Sequence, residues 1–433
     1  MKVALLDVRG EPFKRKAVYK DFSNGFGTAF WIGDSLRAKF IEFSKRHLLE
    51  FPSPMMGYAA AQLGEAGHSV QYVENQVVEA DLVIIKSSIV DYKAELAFAQ
   101  RYREETGAKV GFIGAFSGQM PELFLKKSDF VVKGEPESAL MKIAKGKIPK
   151  GLVKSPPVVN LDKLPFPDWS IFPVERYRYG PSLKEKPVLP MLSSRGCLYK
   201  CSYCPYVVGV PWRKRNPVSV VDEIQCNVDH YGVKGVLFRD PLFGANKEHA
   251  KVIASEMISR KFSLPWVCET RLDLLDNKTL DLFCRAGLKS VNVGIESPNV
   301  GLLKAAGRKS IEEGHQRRVI RHCNDRGIKV TAFFILGLPN DTVESVEQTI
   351  EYAKSLDVNV ASFRICTPYP GTKFFESVKD RIYAGWQDFD TYTPVFRHEN
   401  ISRKQLLRLK EKAFVEFYFR PGFILNFFRR NLL

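Results

Sequence analysis

The chain has 433 residues, of which 45% are apolar and 26% charged, a balance typical of soluble globular proteins. This composition argues against intrinsic disorder, a collagen-like structure and a small disulfide-stapled fold, and the length predicts two or three domains. Lys and Arg outnumber Asp and Glu by 65 to 48, and the net charge of +17 favours anionic partners without choosing among nucleic acid, lipid and phosphorylated substrates.

No apolar run approaches the roughly 20 residues that a bilayer-spanning helix needs. Residues 1–7 meet a charge after four apolar residues, which is typical of a short strand rather than a signal peptide. A cytoplasmic protein is therefore expected. The eight cysteines begin at Cys197, and clustered cysteines in a reducing compartment indicate a metal site rather than disulfides.

The first 150 residues alternate strand and helix patterns. Apolar runs predict strands at 3–6, 69–73, 82–85, 109–114 and 130–132, the last of this domain. Helical patterns between them cover 55–66 and 95–105. The alternation predicts an α/β domain over 1–150 with a flavodoxin-like, doubly wound parallel sheet. Its ligands would bind at the carboxyl ends of the strands.

Residues 151–189 are rich in proline and show no helical period, which predicts an extended linker between domains. Its large apolar residues indicate that the linker packs on a surface; they are Leu161, Leu164, Phe166, Trp169 and Phe172.

The βα alternation resumes over 190–375. Strands are predicted at 189–194, 235–238, 266–269, 290–295, 329–336 and 360–366. Helical patterns cover 219–231, with Ser219 as a plausible N-cap, and 343–356. Six βα units predict a full or partial (β/α)6 barrel, with chemistry at the carboxyl ends of its strands.

The segment 376–433 is predicted to form a helical, basic and aromatic tail, with a helix at 402–418. Its aromatic and basic residues are Phe414, Phe417, Tyr418, Phe419, Phe423, Phe427 and Phe428 with Arg420, Arg429 and Arg430. Such a segment could bind a membrane surface. The alternative is that it packs on the barrel with its arginines in solvent. Nothing else supports a nucleic-acid role, which would need aromatic platforms along a basic groove.

Three cysteines just after the first barrel strand carry the strongest chemical signal. Cys197, Cys201 and Cys204 are spaced by four and three residues, and thiolates are soft ligands suited to iron–sulfur clusters or zinc. A closed zinc site needs four ligands, and no fourth Cys or His lies near in the sequence. On a four-iron cube, three thiolates would leave one iron open to a substrate. Structural thiols or a zinc site are the alternatives.

Cys197-x3-Cys201-x2-Cys204, with Tyr203 before the last cysteine, resembles the signature of the radical S-adenosylmethionine (SAM) superfamily. In that family the cysteines hold a [4Fe–4S] cluster, and SAM chelates the open iron through its amino and carboxylate groups. One electron cleaves SAM to methionine and a 5′-deoxyadenosyl radical, which abstracts hydrogen from substrate. The resemblance implies both cofactors and an external electron donor of the flavodoxin or ferredoxin type. No catalytic residue is assigned beyond the cluster ligands.

Further matches to the family lie mostly at the ends of predicted strands. The resemblance implies that the following residues contact SAM: Tyr203, Glu269, Arg271, Glu296, Ser297, Gly337, Pro339 and Pro370. Arg271 would grip the SAM carboxylate in bidentate fashion, and Glu269 or Glu296 would take the amino group or the ribose. Ion pairs at the barrel mouth and ordinary turn chemistry are the alternatives for these positions.

The N-terminal domain resembles that of the cobalamin-binding, class B methyltransferase-like subgroup. The matching segments are 54–68, 80–85, 130–137 and, in the linker, 161–167. The loops at 87–88 and 114–118 would lie near cobalamin or its nucleotide tail; ordinary turns are the alternative. One departure is that the first strand ends Asp7-Val8-Arg9-Gly10, without the histidine of an Asp-x-His-x-x-Gly loop. Cobalt ligation by histidine is therefore not expected.

The resemblance implies a cobalamin-dependent methyltransferase acting on an unactivated carbon, with a second SAM restoring the methyl group. A radical SAM cyclase or rearrangement enzyme is the first alternative, and an iron–sulfur electron carrier is the second. The basic, aromatic C-terminal segment and the positive net charge favour a lipid or isoprenoid among small-molecule substrates. They also favour peripheral contact with the inner membrane face. No nucleic-acid partner is expected.

Overall fold

The computed structural model describes residues 1–9, 17–46, 48–180, 182–208 and 210–425. Two parallel six-stranded sheets form its framework, one in the N-terminal third and one in the middle of the chain. The βα alternation predicts both sheets, and this coarse α/β architecture is confirmed.

Among the described residues before 160 there are nine strands: β1 (Lys2–Asp7), β2 (Ala17–Tyr19), β3 (Thr28–Phe30), β4 (Leu49–Glu50), β5 (Ser69–Glu74), β6 (Leu82–Lys86), β7 (Lys109–Ile113), β8 (Phe130–Gly134) and β9 (Gly151–Ser155). The N-terminal sheet is parallel throughout, in the order β5-β1-β6-β7-β8-β9. β6 is buried along its whole length, as its continuous apolar run predicts.

The sixth strand of this sheet corrects one expectation. β9 pairs in parallel with β8, from Phe130 opposite Gly151 to Gly134 opposite Ser155. The apolar pattern predicts the last strand of this sheet at 130–132 and places 151–155 in the linker, which is wrong for these five residues. Exposed and half-buried positions alternate along β9, as expected for an edge strand with one solvated face, so the strand lacks the apolar run that marks β6.

In the part of the chain described after residue 160, nine further strands follow: β10 (Arg178–Tyr179), β11 (Val188–Met191), β12 (Ser194–Arg195), β13 (Arg213–Lys214), β14 (Gly235–Phe238), β15 (Trp266–Thr270), β16 (Leu288–Glu296), β17 (Lys329–Leu336) and β18 (Val360–Ile365). The second sheet runs β11-β14-β15-β16-β17-β18, and every neighbouring pair is parallel. All six predicted strands of this region are present, so their carboxyl ends meet at one edge.

The described helices are α1 (Leu36–Arg46), α2 (Pro54–Glu65), α3 (Tyr92–Glu105), α4 (Ala115–Gln119), α5 (Pro121–Leu125), α6 (Glu137–Ala144), α7 (Pro217–Tyr231), α8 (Lys247–Ser259), α9 (Asn277–Arg285), α10 (Val300–Ala305), α11 (Glu313–Asp325), α12 (Val343–Ser355), α13 (Lys373–Val378) and α14 (Arg403–Tyr418). The sequence predicts Ser219 as the N-cap of α7, and this prediction is wrong. Asn216 caps this helix by accepting from the Val218 amide, and Pro217 takes the first helical position, where its missing N–H costs nothing.

The linker packs on the N-terminal sheet, as its apolar residues predict. Trp169 is fully buried in a core shared with α2 and β1. The ring lies over Gly57 of α2, so close that a Cβ at this position would stand 2.7 Å from a ring carbon. The backbone amide of Asp168 also donates to the Gly57 carbonyl at 3.1 Å. Glycine at 57 therefore makes room for the linker.

The C-terminal helix α14 packs on the second sheet. Phe414 and Phe417 are fully buried and meet Phe363 of β18 with ring centroids 5.3 and 6.1 Å away. Of the two interpretations of this tail, packing on the sheet holds for Phe414 and Phe417, because both belong to the core. Phe427, Phe428, Arg429 and Arg430 lie outside the described residues. No helix in the described ranges is long and apolar enough to cross a bilayer.

Candidate active site

The three-cysteine loop lies at the carboxyl edge of the second sheet. It leaves the short strand β12 through Gly196, whose φ of +79° and distance of 2.3 Å from a virtual Cβ to the Pro211 carbonyl exclude larger residues. Ser202 fixes the loop from both sides. Its amide donates to the Ala306 carbonyl, and its own carbonyl accepts from the Phe374 amide. Backbone contacts therefore fix the loop, and the Tyr199 amide within it donates to the Cys197 sulfur at 3.4 Å.

All three thiols line one cavity of about 150 Å³. Burial raises the pKa of Cys197 and raises that of Cys204 to about 12, so an iron or other cation has to displace their protons. Among the described residues, no three Cys, His, Asp or Glu side chains converge as the ligands of a single metal ion do. In a [4Fe–4S] cluster each thiolate binds a different iron, so the three sulfurs need not converge on one point.

Arg271 lines the same cavity beside the cysteine loop. Its Nε and Nη2 donate to Asp273 at 2.9 and 3.0 Å, and its guanidinium lies 4.4 Å from the ring centroid of Tyr199. Its Nη1 is buried and has no hydrogen-bond partner. Arg271 is therefore held in place on one side and presents an unused cationic donor to the cavity, which fits an anionic group such as the SAM carboxylate.

Glu296 lies at a distortion of β16. The pairing register with β17 shifts between Gly294 and Glu296, and Glu296 has a φ of +67°, a left-handed conformation that is unusual for a glutamate. The distortion turns its carboxylate towards Arg308, 3.3 Å away. Burial raises the pKa of Glu296, and the nearby Arg308 opposes that shift. Backbone strain of this kind persists where surrounding contacts enforce it, and it clusters at functional sites.

Glu269 connects the first cavity to a second one. It pairs with Arg239, whose Nη2 also donates to the Asp21 carbonyl at 2.7 Å. The second cavity has about 200 Å³ and shares with the first the following residues: Tyr203, Cys204, Glu269, Gly294, Glu296 and Phe333. A molecule in the second cavity would therefore lie beside the cysteine loop.

Arg364 lines this second cavity between two aromatic rings. Its guanidinium lies 5.6 Å from the centroid of Phe22 and 5.1 Å from that of Phe333. Its Nε is buried without a hydrogen-bond partner, and no carboxylate of the described residues forms an ion pair with it. The cavity thus presents a cation flanked by flat apolar surfaces.

Four predicted SAM contacts line neither cavity. Ser297 is buried, and its hydroxyl is engaged with Thr349 and the Asn299 amide. The Gly337 amide donates to Asp341, while Pro339 is half-buried and Pro370 buried beside their turns. The structure brings the other predicted residues together: Tyr203, Glu269, Arg271, Glu296 and the three cysteines.

Three arginines at the site were not foreseen as a set. Arg308 follows α10, Arg239 ends β14 and Arg364 lies in β18. Arg239-Asp240 directly follows the second predicted strand of this region, where the resemblance implies that the pair could touch SAM or substrate. For Arg308 and Arg364 no motif marks the position, and only the folded chain shows that they face the cavities.

Asp240 supports the strand that leads into the cysteine loop. Its carboxylate accepts from the amide and hydroxyl of Ser193 and from the hydroxyl of Ser194, at 2.6–2.7 Å. Burial nevertheless raises the pKa of Asp240 to about 6. Asp240 therefore positions the residues just before Gly196 and does not reach either cavity.

The carboxyl edge of the N-terminal sheet is covered by the chain itself. Ser87, Ser88 and Ser117 are completely buried. Residues 20–30 lie across this edge, where the Phe26 carbonyl accepts from the Ile89 amide and Asp21 pairs with Lys86 at 2.8 Å. Residues 20–30 therefore lie against the loop at 87–88, and Phe26 meets Phe116 of the loop at 114–118 with ring centroids 6.5 Å apart. Both loops are those predicted to lie near cobalamin.

Comparisons with known proteins agree with this geometry. Residues 191–353 match the family described as the radical SAM superfamily. An uncharacterized methyltransferase of Pyrococcus horikoshii is 28% identical over 332 residues, which cover 71% of each chain. An anaerobic magnesium-protoporphyrin IX monomethyl ester cyclase of Rubrivivax gelatinosus is 30% identical over 275 residues, 62% of this chain and 48% of that protein.

Among solved structures, the fold resembles the radical SAM methyltransferase TsrM of Kitasatospora setae, solved with cobalamin and a [4Fe–4S] cluster bound. The TM-score is 0.64 at 18% identity, over 87% of this chain and 78% of that one. This likeness concerns the fold of both halves of the chain.

Proposed function

Because residues 191–353 form a radical SAM domain, we propose that this protein is a cobalamin-dependent radical SAM methyltransferase that acts on an unactivated carbon. The observation that carries the proposal is the first cavity. Three free thiols line it together with Arg271, whose Nη1 has no partner, and with the Glu296–Arg308 pair. An iron–sulfur electron carrier would need no such array of charged groups around its cluster.

In this proposal Cys197, Cys201 and Cys204 hold a [4Fe–4S] cluster and leave one iron for SAM. When bound, the cluster and SAM supply a 5′-deoxyadenosyl radical, and methylcobalamin supplies a methyl group. Arg271 binds the SAM carboxylate through its free Nη1, because its other nitrogens are already fixed. Glu269 and Glu296 line the same cavity and accept from the amino group or the ribose hydroxyls.

The corrinoid part of the proposal is supported by the relatives and not by residues of this chain. TsrM, which shares the fold, was solved with cobalamin bound. In the structure described here residues 20–30 lie against the predicted corrinoid loops, so we assign no residue to cobalamin and derive no step from it. Binding at that edge would require this segment to move.

The stoichiometry of the proposed reaction determines which products an assay has to measure. Each methylation consumes two SAM molecules and two electrons. It yields the methylated substrate, methionine, 5′-deoxyadenosine and S-adenosylhomocysteine, with the substrate hydrogen transferred to 5′-deoxyadenosine. The electrons come from an external donor, which we propose to be of the flavodoxin or ferredoxin type.

A cyclase is the second candidate, and the R. gelatinosus relative favours it. That protein is named a cyclase and is the 30% identical match, although this chain spans about half of its length. A cyclase would release 5′-deoxyadenosine without S-adenosylhomocysteine. The mass of the product separates the two candidates, since methylation adds one CH₂.

We propose that the second cavity receives the substrate and that Arg364 binds an acidic group on it. The guanidinium lies 5.6 Å from the ring centroid of Phe22 and 5.1 Å from that of Phe333, while its buried Nε lacks a partner. An aromatic or otherwise apolar molecule with a carboxylate or phosphate matches this arrangement. A lipid or isoprenoid phosphate is included in that class.

The first experiment is anaerobic reconstitution with iron, sulfide and hydroxocobalamin, followed by desalting and ultraviolet–visible spectroscopy. The proposal expects corrinoid bands together with iron–sulfur absorption, and formation of S-adenosylhomocysteine with substrate. Cluster absorption without retained corrinoid would still support a radical SAM enzyme. It would contradict the cobalamin-dependent methyltransferase and favour the cyclase.

A further inference from the structure

Helix α1 carries an apolar stripe that faces solvent. Leu36, Phe40 and Phe43 are 85%, 63% and 71% exposed. Their spacing of four and three residues places them on one face of the helix. The opposite face packs inward through Ala38 and Ile41, which are buried in the core of the second sheet. We call the three exposed residues the α1 face.

The α1 face continues into the segment after α14. The ring centroid of Phe419 lies 6.3 Å from that of Phe40, and the guanidinium of Arg37 lies 5.4 Å from the Phe419 ring. Further along this segment, Ile424 and Leu425 are 38% and 65% exposed. Phe419 therefore extends the α1 face with a residue from a distant part of the sequence, and the three exposed residues of α1 are more than the scattered single residues of an ordinary protein surface.

The charges around this surface are mainly positive. Of the basic residues of α1, Arg37 and Lys39 are exposed, whereas the Lys45 ammonium turns inward and donates to the Tyr418 hydroxyl at 2.9 Å. The helix has one acidic residue, Glu42. The carboxylate of Glu42 is turned away to accept from the amides of Ile32 and Gly33. The chain as a whole carries a net charge of +17.

We propose that the α1 face and the segment from Phe419 to Leu425 dock this protein on an anionic lipid bilayer. A helix with large apolar residues on one face and basic residues beside them lies in the interface of an anionic membrane, with its apolar face at the acyl boundary. The complementary charge selects this partner over a neutral surface. The proposal goes beyond the methyltransferase assignment and does not depend on it.

The test is co-sedimentation of the full chain with vesicles of phosphatidylcholine alone and of phosphatidylcholine mixed with phosphatidylglycerol. We expect binding to the anionic vesicles only, with a loss at high salt because the charges are exposed. F40S/F43S should lower the bound fraction at least tenfold. The matched control V159S/V300S removes two equally exposed apolar side chains elsewhere and should bind as the wild type does.

Equal binding to neutral and anionic vesicles, no binding to either, or wild-type binding by F40S/F43S would each overturn the proposal. Sedimentation velocity without lipid tests whether a second copy of the chain covers the α1 face instead. A wild-type dimer that F40S/F43S converts to a monomer would assign the α1 face to a second copy of the chain instead. Circular dichroism and iron content of the variants, compared with the wild type, show whether the fold is kept.

Discussion

Arg271 lies 4.4 Å above the ring of Tyr199, and this contact joins the end of β15 to the middle of the three-cysteine loop. The cation–π contact orients the guanidinium from one side, and Asp273 orients it from another. The residue proposed to bind the SAM carboxylate is therefore fixed by the same loop that supplies the cluster ligands.

Replacing Arg271 by Gln should weaken SAM binding about 30-fold, because a charge-assisted hydrogen bond contributes roughly 2 kcal/mol. Equilibrium dialysis with labelled SAM on the reconstituted protein measures the change. Arg318→Gln, at an exposed arginine of α11, is the matched control and should leave the affinity unchanged. Unaltered SAM affinity in Arg271→Gln would remove Arg271 from the SAM site.

Replacing Cys201 by Ala should abolish both the iron–sulfur absorption and the formation of 5′-deoxyadenosine from SAM, since two thiolates do not retain the cluster. Cys226→Ala, on α7 and away from both cavities, should keep the iron content and the cleavage. SAM cleavage that survives in Cys201→Ala would refute the cluster assignment.

Replacing Arg364 by Gln should separate substrate binding from SAM cleavage. A cell extract incubated with the enzyme and methyl-labelled SAM should yield a labelled product that an anion-exchange resin retains, because the proposed substrate is acidic. Arg364→Gln should lower this labelling at least tenfold and keep the substrate-free cleavage of SAM within about twofold. A labelled product that flows through the resin would contradict the proposed role of Arg364.

Two glycines of α2 should respond in opposite directions to the same substitution. Gly57→Ala puts a Cβ 2.7 Å from the Trp169 ring, so we expect a loss of about 1–3 kcal/mol from overpacking. Gly64→Ala meets no atom within 4 Å and should gain about 0.5–1 kcal/mol from helix propensity. Thermal unfolding of both variants tests this, and a stabilised Gly57→Ala would show that the linker does not pack as described.

Asp240 should make the protein less stable as the pH rises from 4 to 6. Burial raises its pKa from 3.8 to about 6, so the folded state binds the proton more tightly than the unfolded state in that range. Above pH 6 the buried charge costs on the order of 3 kcal/mol. Asp240→Asn lacks this titration, so its melting temperature should rise relative to that of the wild type between pH 4 and 6. A difference in melting temperature that stays constant between pH 4 and 6 would contradict the raised pKa of Asp240.

The sequence predicts two kinds of site residue. Some belong to a motif within one short segment, and others lie at the carboxyl ends of predicted strands. The cysteine spacing is a property of eight consecutive residues, and Arg271 and Glu296 end two strands whose carboxyl ends must meet in a parallel sheet. Glu296 meets Arg308 where the pairing register of β16 shifts, and no pattern in the sequence predicts a register shift. Ser297 and Gly337 match positions that contact SAM in the family. In this structure the Ser297 hydroxyl bonds with Thr349 and the Gly337 amide donates to Asp341.

The segment between β1 and α2 was not foreseen, for a different reason. β2 and β3 have three residues each, too few to show a period. The apolar residues of α1 do follow a helical period, but Leu36, Phe40 and Phe43 face solvent, so the rule that an apolar stripe marks the buried face fails there.

Residues 20–27 touch both sheets at once. Phe22 lines the second cavity, Asn24 donates to the Pro205 carbonyl at 3.1 Å, and Phe26 accepts from Ile89 of the N-terminal domain. A large ligand that enters between the sheets must break these contacts, so its apparent affinity equals its intrinsic affinity multiplied by the fraction of molecules in which the segment is displaced. Substitutions that loosen the segment should then tighten the binding of such a ligand while leaving its own contacts unchanged.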